Sequence, residues 1–137
     1  MRKNMGLYRG KRQDNRKWVE GSLFFMFGKT YICPEAIAMY YFDGALCLGG
    51  FVEVDPETVG QFTGLKDKNG VKIFEGNIVR ATDLQDADLV GMVVWRYDAW
   101  CVSGANGAYS LHMANFLHKL VVIGNTHDNP ELLEVSK

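Results

Sequence analysis

No apolar run in this chain of 137 residues approaches the ~20 residues that cross a bilayer as a helix, so no membrane span is expected. Basic residues near the start are not followed by the apolar core and cleavage pattern of a signal peptide, which places the expected protein in the cytoplasm. Cysteine is scarce and odd in number: Cys33, Cys47 and Cys101 stand far apart, each among apolar neighbours. That excludes a disulfide framework and favours small buried hydrophobes. Also missing are a phosphate-binding loop, a dinucleotide fingerprint, a nucleophile elbow, internal repeats and low-complexity tracts.

Metal chemistry finds no support. His112, His118 and His127 match no zinc spacing, and the first two lie six apart, on opposite faces of any helix. Asp83, Asp86 and Asp88 lack the glycine and closing glutamate of a calcium loop. His127-Asp128 sits in an asparagine-rich stretch better suited to turn bonding than to catalysis. No cofactor and no metal ligand set is expected.

What remains is an ordinary globular composition, 47% hydrophobic and 23% charged. A chain of this size buries about two-thirds of its unfolded surface, enough for a core without staples. The net charge of −1 hides an asymmetry. Residues 1–17 hold seven basic side chains against Asp14 alone, so this segment carries +6 and the remainder −7. Such an arm suits an anionic ligand, or the acidic face of its own or a neighbouring subunit.

Turn chemistry is densest in residues 54–80. Asp55-Pro56 ends an extended segment, and Asp55 is placed to cap a single helical turn over Pro56, Glu57 and Thr58. Asn69-Gly70 is a strong hairpin signal, and Glu75-Gly76-Asn77 is a second turn before a strand at 78–80. Three turns in under thirty residues predict a compact β domain.

Around this stretch, residues 7–12 and 18–27 read as a hairpin, with a turn at Gly28-Lys29 and a strand from Thr30. Residues 23–27 are apolar at every position, which predicts cover on both faces, by core on one and by a second subunit on the other. Residues 34–42 mix a helix start at Pro34 with the strand-preferring Tyr40-Tyr41-Phe42, and one or two helical turns are expected. Asp43-Gly44 is a turn, 45–48 a short strand, and Gly49-Gly50 or Asp55-Pro56 the subdomain boundary. Beyond a loop at 82–88, residues 89–97 and 99–103 form a hairpin around Asp98. Residues 104–107 turn, Ser110 caps a helix over 111–117, and 120–123 is a buried strand. Asn129-Pro130-Glu131 opens a small helix over 130–135.

Two strings, VDPETVGQFTGLKDKNG with IFEGNIV (residues 54–79) and IGNTHDNPELL (123–133), resemble the YopX protein family of bacteriophages and prophages. LYRGKRQDNRKWVEGSLF (7–24) fits the start of that family. The resemblance implies a phage origin, an SH3-type barrel in the second half and no assigned biochemical role. One departure is visible: the family usually has Asp in the position of Asn77, a residue that makes the same local turn bond.

The expectation is a mainly β protein, an N-terminal β-hairpin assembly over residues 1–54 followed by an SH3-like small barrel with short helices over 55–137. Its expected role is a non-catalytic macromolecule-binding module, with nucleic acid the first partner and a host protein the second. Arg9, Lys11, Arg12 and Arg16 of the arm, with Arg96, Tyr97 and Trp100 of the barrel hairpin, are the candidate nucleic-acid contacts. The plain alternative makes Trp18 and Trp100 core residues and leaves the arm solvated. A homo-oligomer gripping its neighbour with the arm is the second reading, and a hydrolase using Asp55 and Glu57 the third.

Overall fold

The computed structural model describes residues 6–34, 38–42, 45–82, 89–104 and 107–134, with the side chains of 38–42, 45–49 and 134 outside the description. The protein is mainly β and built from antiparallel strands with few short helices. It divides into two compact units, Met1–Gln61 and Phe62–Lys137.

In the first unit the strands are β1 (Leu7–Lys11), β2 (Trp18–Met26), β3 (Lys29–Cys33), β4 (Ala38–Phe42), β5 (Ala45–Gly49) and β6 (Val52–Glu53). β6, β3, β2 and β1 lie side by side, and the first two residues of β7 (Gly60–Lys66) pair on the far side of β1. Ile32 and Val54 are fully buried here. Gly21 of β2 is required by close approach, because a Cβ there would collide with the main-chain carbonyl of Cys33. β4 and β5 form a separate hairpin. Of the one or two helical turns expected within 34–42, any part over Ala38–Phe42 is corrected to strand, in keeping with the β preference of two tyrosines and a phenylalanine, while residues 35–37 lie outside the described residues. The expected turn at Asp43-Gly44 lies outside the described residues.

The end of β1 is closed by the segment that follows β6. Asp55 caps a short 3-10 turn, Pro56–Thr58, by accepting the Glu57 N–H on its Oδ1 at 3.1 Å, as expected. The buried Thr58 hydroxyl accepts the Lys11 N–H at 2.8 Å and donates to the Asp55 carbonyl at 2.7 Å. The Asp55 N–H donates to the Lys11 carbonyl at 2.8 Å. Residues named for a cap thus anchor the first strand as well.

In the second unit the rest of β7 pairs with β8 (Lys72–Phe74). A five-stranded sheet follows from β9 (Asn77–Arg80), β10 (Val90–Arg96), β11 (Ala99–Gly104), β12 (Gly107–Ser110) and β13 (Val121–Asn125), in the order β12-β11-β10-β9-β13. Helix α1 (Leu111–His118) joins β12 to β13, and α2 (Glu131–Glu134) follows β13. The core holds Ile73, Val79, Ala81, Val93, Val102, Leu111, Ala114 and Leu120. Ser110 caps α1 as expected, accepting the Met113 N–H at 3.4 Å.

The expected turns are built by buried polar side chains. Between β7 and β8, Asp67 Oδ1 accepts the N–H groups of Asn69 and Val71 at 2.8 and 2.9 Å, and Oδ2 accepts that of Val122 at 2.9 Å. The Asn69-Gly70 signal thus marks a wider loop pinned to β13, not a two-residue hairpin. Between β8 and β9, Gly76 takes φ of +88° and Asn77, only 2% exposed, accepts the Phe74 N–H at 2.7 Å. Its amide donates to the Gly124 carbonyl at 3.4 Å. Asn125 Oδ1 accepts the N–H groups of His127 and Asp128 at 3.0 and 2.9 Å, giving that segment the turn role expected of it.

Replacing Gly21→Ala should cost about 3 kcal/mol, since backbone must move to admit one methyl group, and urea unfolding measures it. For Asn77→Ala a loss of about 2 kcal/mol is expected, because a buried N–H and a buried carbonyl lose their partners. Asn77→Asp, which keeps the acceptor for Phe74, should lose less at a pH low enough to protonate the carboxyl, where it can also donate to the Gly124 carbonyl.

Candidate binding surfaces

From Leu7 onward the basic segment is part of a sheet and its following loop. Arg9 and Lys11 lie in β1, and register puts them on one face with their partners in β2, Glu20 and Trp18. The Arg9 guanidinium stands 4.2 Å from the centroid of the Trp18 ring, and Lys11 Nζ 5.6 Å from it. Two of the three Arg9 guanidinium nitrogens, Nε and one Nη, are shut off from solvent. Arg12 reaches Asp14 through two hydrogen bonds, 2.9 Å from Nε and 2.7 Å from Nη2. That bonding holds the Asp14 carboxyl below its ordinary pKa. Arg16 meets Asp55 Oδ2 at 3.2 Å. Each of the four basic candidates is therefore engaged within its own unit, two with carboxylates and two with an indole.

Along the same face the aromatic surface continues. Phe24 stacks on Tyr31 of β3 with ring centroids 5.3 Å apart, and Phe51 meets Phe24 edge-on at 4.6 Å. At the end of the β2–β3 hairpin the burial stops. Phe25 is 72% and Phe27 92% exposed, and Met26 is exposed too. Among the described residues, none covers the last three of residues 23–27, while Leu23 and Phe24 are half-buried. The turn is Phe27-Gly28, one residue earlier than expected, with φ of +53° and +76°. Such paired positive values are those of the two-residue turn that suits strand twist and favours Asn-Gly.

The second unit repeats the device. β10 and β11 are joined by Tyr97-Asp98, with φ of +55° and +59°, and Tyr97 is 85% exposed. Trp95 and Trp100 face each other across the hairpin, edge to face at 5.0 Å. Trp100 packs against the core, and Trp95 is half exposed. Arg96 lies exposed between Trp95 and Tyr97. Of the three candidates from this hairpin, then, Arg96 and Tyr97 are presented to solvent and Trp100 is chiefly structural. Sequence reading missed Trp95 and the outward side chains of α1, Met113, Phe116 and Leu117. The spacing 113, 116, 117 was the available signal, because it puts all three on one helical face.

Both Asp55 oxygens are in use, one as the cap and one toward Arg16, and Glu57 is exposed. Cys33 and Cys101 are buried free thiols, and the Cys47 side chain is outside the described residues. Among the described residues no group of three His, Cys, Asp or Glu side chains is placed to hold a metal ion, and no helix is long and apolar enough to cross a membrane.

The two strings that carry the family resemblance meet in the structure: Asn77 pairs with Asn125, and the Thr126 N–H donates to the Gly76 carbonyl at 2.9 Å. No curated protein matches the chain. Among solved structures it is similar to protein EF1440 from Enterococcus faecalis, at 22% identity over 93% of this chain and 96% of that one, with a TM-score of 0.59. That likeness concerns the fold. The profile of the YopX protein family matches residues 7–134, nearly the whole sequence, and the chain belongs to that family.

Proposed function

We propose that the protein is a non-catalytic binding module of phage or prophage origin that works in the host cytoplasm and engages another protein through the aromatic tips of its hairpins. One observation carries the reading: Phe27 and Tyr97 occupy left-handed turn positions and point into solvent. A bulky residue in that conformation costs about 1–2 kcal/mol, and its exposed ring gains no burial in return. Asn or Gly would serve folding better at both positions. Side chains that a fold does not need, at positions that disfavour them, mark contact surfaces. Aromatic anchors of this kind dominate protein interfaces. The second unit serves as an SH3-like barrel in this reading: β9 to β12 form a meander, α1 follows, and β13 returns to pair with β9.

Nucleic acid is the second reading, favoured by Arg96 between two exposed rings. Here the ion pairs of Arg12 and Arg16 and the stacking of Arg9 speak against a strong electrostatic grip.

Two measurements test the proposal. Binding to single-stranded DNA and RNA over a salt series should be weak, with a log–log slope shallower than about −2, fewer than three phosphates neutralised; a slope of −3 to −4, abolished by removing Arg9, Lys11, Arg12 and Arg16, would reverse the order of the two readings. A host protein captured by the wild type and then purified should bind Phe27→Asn or Tyr97→Asn at least ~10-fold more weakly, a loss of about 1.4 kcal/mol. Unchanged affinity in both variants would remove the tips from the interface.

A further inference from the structure

A third surface has a different character. Strand β12 is the outermost strand of the five-stranded sheet, and all four of its residues, Gly107, Ala108, Tyr109 and Ser110, are exposed. It carries no charge, no proline and no register shift, the usual protections of a sheet edge. The opposite edge differs, because β13 is irregular between Val122 and Gly124. Helix α1 leaves directly from β12 and packs Leu111 and Ala114 into the core. Its other face presents Met113, Phe116 (71% exposed) and Leu117. His112 and Asn115 lie to one side of that face, and three large apolar side chains grouped on the outer face of a helix mark a surface that is covered in the working assembly.

We propose that β12 and α1 form a homodimer interface, in which β12 of one copy pairs antiparallel with β12 of a second. The symmetry of that pairing suits the surface. A two-fold axis perpendicular to the sheet joins the two sheets edge to edge and keeps both copies of α1 on one face, flanking the axis. Tyr109 lies opposite Val102 in the register, on the face that α1 covers, so the two Tyr109 side chains also gather there. An uncharged strand meets its own copy without like-charge repulsion.

The area is adequate. Tyr109, Met113, Phe116 and Leu117 are each about half exposed or more, and together present on the order of 500 Å². The strand edge and the flanks of both helices extend this toward the ~800 Å² per partner of a stable interface. An extended peptide from another protein would use the edge but leave the outer face of α1 bare. This favours a second copy.

Light scattering of the full chain at tens of micromolar tests the interface. A dimer is expected, converted to monomer by Tyr109→Lys and, separately, by Leu117→Lys, with far-UV circular dichroism unchanged. Phe27→Asn, on the other unit, should leave the dimer intact, so this result stands apart from the fate of the hairpin tips. A monomeric wild type overturns the proposal, as does a dimer that survives both lysine variants. If Tyr109→Lys fails to fold, the exposed Leu117 position decides alone.

Discussion

Short strands end often, and each end leaves main-chain N–H and carbonyl groups that neighbouring strands do not reach. Burying them unsatisfied would cost more than the fold can sustain. In this protein four buried polar residues, Thr58, Asp67, Asn77 and Asn125, meet that constraint. Thr58 closes the end of β1, Asp67 ties the β7–β8 loop to β13, and Asn77 and Asn125 fasten adjoining turns. The hydrophobic cores fill the space that these side chains define. Among the described residues, the buried Asp67, Asn77 and Asn125 side chains accept main-chain N–H groups.

Charge obeys a similar logic. Seven basic residues within the first seventeen invite the picture of a mobile arm seeking phosphate. From Leu7 onward the segment folds as β1 and its following loop, in the middle of a sheet, and four of its cations, Arg9, Lys11, Arg12 and Arg16, find an indole and two carboxylates. Stacking a guanidinium on Trp18 is a packing contact as much as an electrostatic one. A net charge counted along a sequence says where basic residues are, not what neutralises them. Among the described residues, large apolar side chains stand exposed at two hairpin tips and along α1.

Much of this was legible beforehand, wherever a local signal had a local answer. The caps at Asp55 and Ser110 and the turn at Glu75-Gly76-Asn77 rest on bonds within a few residues, whereas Asn69-Gly70 marks a turn without revealing the bond from Val122 that pins it. Over residues 38–42 a strand-forming triplet competes with the helix start at Pro34, and pairing with β5 makes that stretch strand. The pairing of Arg16 with Asp55 spans 39 positions, and no spacing rule reaches that far. Exposure was the hardest property to read. The uniform hydrophobicity of residues 23–27 implies burial, and it takes the strand register to place Phe25 and Phe27 beyond the covered part of the sheet. The left-handed conformation of Phe27 was legible in principle, since both favoured two-residue hairpin turns take positive φ at their first position.

The account stands or falls on the claim that Phe27 and Tyr97 are held against the preference of the fold. Urea unfolding of the double variant Phe27→Asn, Tyr97→Asn measures this directly. Relief of strain at two turns should raise stability by about 1–2 kcal/mol, with an unchanged denaturant slope. A loss of 1 kcal/mol or more would mean that both rings pack where they now stand exposed, and the tips would then belong to the fold.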